Sequence, residues 1–448
     1  MMKRIHLNHI LATFTIVSIL TSCQPSFDAD IGKTEVAKWY QDKTGAVSLT
    51  FDDGTVHQFT IAMPMLDSLG MKGTFYIITG KIPESQYRGT FIGKPGEEII
   101  AETAKIPTNK DNLLERASAI GFLGYEGGLD YHTRAGAAVD AENVDKAIEI
   151  IEEGYAKIRA GKLRRVGPPS SYREANDTTT WELYRQYAAN GHEIASHTVT
   201  HPRLAILDEP NILYELEKSK EEIENQIGED YIFSAEGPYG TENEHSVEYV
   251  LKVYKSARNR MPEPFLAELN RGAKEWPAEG KDGKEYVQWQ RGPLSKTPME
   301  LMKSWVDTTA ARNDTWLVLV FHGVEGVGWE AKPKEQLREY FEYVAAKKDY
   351  VWVAPFVEVT QYIRERMAAK VSTKIDGSTI VVNLTHTLDP KWYGHNLTLK
   401  TLVPDWKKVQ VKQGDTILAV RMTEEDGKKY VMYEALPNGE PVTVREME

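Results

Sequence analysis

The sequence predicts an α/β fold, a parallel barrel followed by a smaller β-rich unit, on three observations. Short apolar runs alternate with amphipathic helical stretches from about residue 44 to 370. The residues able to carry chemistry stand at the ends of those runs, where a parallel barrel places its functional groups. After Ala369 the helical spacing stops, and short β-rich segments separated by turn residues suggest a small β-sandwich over 371–448.

The elements follow in order. Lys3 and Arg4 precede an apolar segment from Ile10 to Leu20, too short to cross a bilayer as a mature helix but suited to the core of a secretory signal, here 1–22. Leu20-Thr21-Ser22-Cys23 resembles a bacterial lipobox, and Cys23 is the only cysteine of the chain. Intramolecular disulfides and thiolate metal clusters are therefore excluded, and lipid attachment is the expected use of Cys23. With Asp28 and Asp30 close behind, the expected location is the cell envelope, anchored by lipid and in the outer membrane, periplasmic or surface-exposed. Residues 23–43 read as a linker. Strands are expected at 46–51, 73–78, 192–196, 231–235, 255–258, 315–321 and 351–353, and helices at 209–227, 298–311, 333–347 and 357–369. An insertion over about 81–178 shows a clear helix around 141–160 and glycine-rich or aromatic loops such as Gly121–Gly128; it either walls the cleft or serves packing.

Two segments hold the chemistry. Thr50-Phe51-Asp52-Asp53-Gly54 ends a buried strand, and a turn beginning at Gly54 would let both carboxylates face one cleft. Adjacent bare carboxylates repel, unless a cation binds one and leaves the other as a base. His197-Thr198-Val199-Thr200-His201 ends another strand, and its four-residue spacing would set two imidazoles on one side of a helical turn. One carboxylate and two neutral histidines make a three-ligand site with an open position, the arrangement of catalytic zinc.

These segments resemble the first two motifs of the polysaccharide deacetylases, the NodB-homology or carbohydrate esterase family 4 enzymes. Ala235-Glu236-Gly237-Pro238-Tyr239-Gly240 looks like the third motif, and Leu317-Val318-Leu319-Val320-Phe321-His322-Gly323 looks like the fifth. The resemblance implies a distorted (β/α) barrel of about seven strands. It implies one divalent metal, most often zinc, on Asp53, His197 and His201. Asp52 would be the general base, His322 the general acid, and the backbone N–H of Tyr239 an oxyanion donor. The residues could perform that chemistry unaided: a metal acidifies water, a carboxylate completes its deprotonation, and a histidine supplies a proton near neutral pH.

The chain departs from the family pattern in two places. The third motif often opens with an arginine that contacts the base, and Glu236 stands there; Arg258 or Arg260 from the next strand would supply the charge or, alternatively, lie on a solvated face, and both are counted with Trp329 among the expected substrate-binding residues. The fourth motif does not align, with Asp307, Trp289 and Trp305 as candidates. Trp329, in a glycine-containing loop after His322, is placed to stack on a sugar ring. With 54 basic and 66 acidic residues the net charge is −12, which argues against nucleic acid as a partner and leaves a glycan. The acidic helix Glu215–Glu224 reads as a solvated face. The expected activity is removal of N- or O-linked acetyl groups from a polysaccharide or oligosaccharide outside the cytoplasm. The alternatives are a non-catalytic glycan-binding lipoprotein on the same scaffold and a hydrolase of a non-sugar amide.

Overall fold

The computed structural model describes residues 30–447 apart from 168, 170–176, 241–242, 259, 272 and 274–283. The expected signal segment 1–22 and Cys23 lie outside the described residues. In chain order the first part runs β1 (Thr34–Val36), β2 (Gly45–Phe51), α1 (Met63–Ser68), β3 (Thr74–Ile77), α2 (Gly96–Thr103), α3 (Leu113–Phe122), α4 (Gly128–Asp140), α5 (Val144–Arg159), α6 (Trp181–Ala189) and β4 (Glu193–Ser196). It continues with α7 (Glu209–Gln226), β5 (Ser234–Ala235), α8 (Glu244–Val253), β6 (Ser256–Ala257), β7 (Leu266–Leu269), β8 (Tyr286–Arg291), α9 (Met299–Ala311), β9 (Thr315–Phe321), α10 (Lys334–Ala346), β10 (Val351–Val353) and α11 (Phe356–Ala368).

Strands β2 to β10 form one sheet, ordered β6-β5-β4-β3-β2-β9-β8-β7, every pairing parallel. Strand β2 is its axis. On one side it pairs with β9 from Ala46 to Phe51; on the other its start pairs with β10 and its end with β3. Among the described residues no pairing joins β6 to β7, so the barrel is distorted and open there. The sheet has nine strands where the sequence suggested about seven. The two additional strands are β7 and β8, and β8 escapes a sequence reading because its inward residues, Gln288 and Gln290, are polar yet buried.

Period-two alternation sorts the side chains. Val47, Leu49, Phe51, Leu317, Leu319 and Phe321 point outward and pack under helices α1, α6, α9 and α10 through Leu66, Tyr184, Met302 and Phe341. Ala46, Trp316 and Val318 point inward and meet Phe356, Val359 and Ile363 of α11, which plugs one end of the barrel. The inward row of β2 therefore climbs from an apolar floor to Asp52 at the opposite lip.

Among the described residues the insertion holds four helices, and the one expected over 141–160 is α5. Helices α3, α4 and α5 share a core of Ala117, Ile120, Tyr131, Ala135, Ile151 and Tyr155. The stretch Gly121–Gly128, expected as loop, is loop from 123 to 127, between the end of α3 and the start of α4, and Gly127 takes φ +72° there.

After α11 come β11 (Lys370–Asp376), β12 (Thr379–Thr385), β13 (Leu397–Val403), β14 (Val409–Gln413), β15 (Thr416–Leu418), β16 (Val420–Glu425), β17 (Lys428–Ala435) and β18 (Val442–Glu446). They form two antiparallel sheets, β1-β13-β17-β16 and β11-β12-β18-β14-β15, around Val382, Leu384, Leu399, Val411, Val431 and Val444. The stretch read as a linker thus contributes β1, which pairs Thr34 to Thr401 and Val36 to Leu399.

Candidate active site

The C-terminal lips of β2, β4, β5, β6 and β9 bring the predicted residues together. Phe51 ends β2, and Asp53 adopts φ +76°, which breaks strand alternation and turns the second carboxylate to the same side as the first. Its Oδ1 lies 3.4 Å from His201 Nε2 and 3.8 Å from His197 Nε2. The ligand atoms of all three residues lie within 4.8 Å of one another.

The His197–His201 segment is a loop and not the expected helical turn: Thr198 and His201 take φ +69° and +60°. Glu215 of α7 holds it, accepting from the N–H of Val199 (2.9 Å), the N–H of Thr200 (2.8 Å) and the Thr200 hydroxyl (2.6 Å). Burial pushes the Glu215 carboxyl up to about 7, while those donors pull it back. Glu215 is 1% exposed and Glu222 2%, so the helix read as a solvated face turns two acids inward. Their spacing along α7 was the available signal.

His197 Nδ1 donates to the Glu236 carbonyl at 2.9 Å, which leaves the Nε2 lone pair facing Asp53. Burial, with His201 beside it, lowers His197 to about 4, and burial lowers His201 to about 3. Two neutral imidazoles and one carboxylate, their donor atoms converging, fit a divalent cation.

Asp52 sits beside this triad in a different environment. Arg258 grips it in a two-pronged bond, Nη1 to Oδ1 at 2.7 Å and Nη2 to Oδ2 at 2.6 Å, and also donates to Thr50 Oγ1. The other face of Arg258 meets Glu236 Oε1 at 3.0 Å and the Tyr76 ring at 4.9 Å. Burial alone would raise the Asp52 carboxyl, but Arg258, His322 and His197 outweigh it and hold it well below the usual carboxylate range. Arg258 is 1% exposed, so the expected substrate-binding role is corrected: it lies beneath the base, out of reach of the cleft surface. Glu236 cannot contact the base itself and instead anchors the arginine that does. Arg260, also expected at the substrate, contributes a backbone N–H to Ala257 O and no side-chain contact with the site among the described residues.

His322 Nε2 lies 3.5 Å from Asp52 Oδ2. Burial lowers its imidazole, Asp52 and Asp53 oppose this, and Arg258 and Arg271 add to it. Gln58, not singled out in the sequence, donates to the carbonyls of both Asp52 (2.5 Å) and His322 (2.8 Å), fixing the two lips together. Trp329 is 57% exposed, its ring edge to face with His322 at 4.6 Å. Tyr239 takes φ +63°, so that its ring lies 4.6 Å from His201, and Arg203, ion-paired to Asp140 of α4, covers that ring at 4.2 Å.

The fourth-motif candidates lie elsewhere. Asp307 binds Tyr343 and Lys347 on the surface of α9, and Trp289 packs edge to face with Trp305 in the outer layer. Among the described residues His322 Nδ1 has no hydrogen-bond partner. His132, unassigned from sequence, is buried and donates through Nδ1 to Ala117 O.

A parallel barrel thus carries at one mouth an Asp-His-His triad able to hold a divalent cation, with a second carboxylate and a histidine beside it, the groups that metal-assisted hydrolysis requires. Residues 40–118 and 138–257 match the model of the polysaccharide deacetylase family. A gellan lyase from a Bacillus species is 24% identical over 284 residues, 58% of this chain and 11% of that protein, so the match takes in about a tenth of the relative's length. The peptidoglycan deacetylase PdaC from Bacillus subtilis is 10% identical in sequence, with 74% of this chain and 96% of that chain covered at a TM-score of 0.35. A family 4 carbohydrate esterase from Bacillus anthracis is 11% identical, covering 73% and 86% at a TM-score of 0.33.

Proposed function

We propose that this protein is a zinc-dependent deacetylase of an acetylated polysaccharide or oligosaccharide, acting outside the cytoplasm from a lipid anchor on Cys23. The observation that supports it is the juxtaposition of two carboxylates with opposite assignments. Asp53 faces two imidazole nitrogens at 3.4 and 3.8 Å, while Asp52 is kept ionised by Arg258 and faces His322 at 3.5 Å.

Asp53, His197 and His201 would hold the cation, which when bound acidifies water and polarises the acetyl carbonyl. Asp52 accepts the proton of the attacking water; Arg258 keeps it ionised at neutral pH, at the expense of basicity. The Tyr239 backbone N–H, turned by its left-handed conformation, donates to the oxygen on which charge develops. His322 protonates the departing amine or alkoxide, and its contact with Asp52 favours the charged imidazolium needed for that step. Trp329, exposed beside His322, offers a face to a sugar ring.

The test is acetate release from N-acetylglucosamine oligomers, peptidoglycan and acetylated xylan by zinc-loaded protein, chelated protein and the Asp52→Asn variant. Release that needs both zinc and Asp52 is expected. Release that survives chelation would remove the metal from the mechanism, and binding of a glycan with no release would favour a receptor.

A further inference from the structure

One arginine at the mouth of the barrel has no acidic partner among the described residues. Arg271 stands in the turn after β7, closed by a hydrogen bond from Ala273 N–H to Asn270 O at 2.9 Å. Its guanidinium lies against the Cα of Gly240, where a β-carbon would collide with Nη2, and Gly240 itself takes φ +63°. Any larger residue at 240 is thus excluded by backbone conformation and by the space the guanidinium occupies. Gly240 follows Tyr239, and the charge of Arg271 is felt at His322. The guanidinium therefore packs against the residue that follows the oxyanion donor, within electrostatic reach of the acid.

Three other cations around this mouth have counter-ions: Arg258 pairs with Asp52 and Glu236, Lys81 with Asp177, and Arg203 with Asp140. Among the described residues Arg271 has neither an ion pair nor a side-chain hydrogen bond. In a chain with 66 acidic and 54 basic residues, a half-buried guanidinium left without a carboxylate stands out against the composition. Its planar fork matches a carboxylate in two-pronged geometry.

We propose that Arg271 binds a carboxylate on the glycan, so that the preferred substrate carries an acidic sugar next to the acetylated one. This rests on the deacetylase reading and narrows its substrate class. The net charge of −12 repels polyanions at long range, so recognition of the carboxylate is local, through this one guanidinium.

The experiment measures equilibrium binding of two tetrasaccharides to the zinc-loaded full chain by calorimetry. One alternates N-acetylglucosamine with glucuronic acid, and the other is its carboxyl-reduced counterpart. Wild type is expected to prefer the acidic form. Arg271→Gln should weaken that form by about 10- to 100-fold and leave the neutral one unchanged, with Arg271→Lys intermediate. The proposal is overturned by an equal loss on both sugars, by no loss on either, by a wild type that binds neither or shows no preference, or by a variant altered only in its inhibition by acetate. Acetate release is followed in parallel. Preference for the acidic sugar without release would sink the deacetylase reading and leave the carboxylate site standing; release without charge preference would do the reverse.

Discussion

Asp52 and Asp53 are neighbours with opposite electrostatic surroundings, and variants should separate them. Asp52→Asn is expected to lower kcat by about 10²- to 10⁴-fold with zinc content unchanged; loss of zinc together with activity would contradict the division of roles. Arg258 should matter to stability as well. Its replacement by Met leaves Asp52 and Glu236 facing a buried gap, at a cost of about 3–5 kcal/mol. The pH dependence then changes sign. In the wild type Asp52 is depressed below its unfolded value of about 3.9, so its stabilisation is complete above that pH and is lost as pH falls through the folded value. Without Arg258, burial raises the group above 3.9, and stability falls as pH rises through the raised value. Denaturant titrations of metal-free protein between pH 4 and 8 check this, since an unchanged slope would mean that Arg258 does not set the ionisation of Asp52. Asp52, Asp53, His197, His201 and His322 were legible in the sequence because each closes a strand in a recognisable pattern. Arg258 was half legible: its candidacy followed from Glu236, but its burial depended on a strand pairing, β5 with β6, that rests on two residues.

At the scale of elements, the His197–His201 loop is positioned by α7 and its rim by α4. Glu215→Gln replaces one acceptor oxygen with an NH₂ that faces donors of Val199 or Thr200. Zinc affinity is expected to fall by about 10- to 100-fold, read by competition with a chromophoric chelator. Retained affinity would show that the loop keeps its left-handed residues unaided. The long helices were legible from their apolar spacing, α7, α9, α10 and α11 each within about two residues at either end. Of the insertion only α5 was. The join of α3 to α4 is glycine-rich and aromatic, which reads as loop, yet Gly127 and Gly128 allow two helices to turn back on each other. Strand β8 was hidden for a related reason, since polar residues inside a barrel mimic the solvent side of a strand.

In the whole molecule the barrel and the sandwich are less separable than a boundary at 370 implies. Tyr362 of α11 lies in the core of the sandwich, its hydroxyl donating to Ala37 O, and Trp352 of β10 packs against Tyr40 and Tyr362. A fragment ending at residue 369 is therefore expected to aggregate or to unfold well below the full chain in thermal scans; a soluble fragment with the same midpoint would show the sandwich to be an appendage. The change in texture after Ala369 made the β-rich unit legible, but nothing in Thr34–Val36 announced membership of it, because three residues carry too little pattern to name a partner so far along the chain. That pairing also imposes an order of events. During synthesis at roughly 5–20 residues per second, Thr34–Val36 emerges on the order of half a minute before Leu399–Thr401 exists to receive it. An early strand must wait with an unsatisfied edge while the barrel assembles beside it, and the two ends of the fold are closed by one of the last hydrogen-bonded ladders to form.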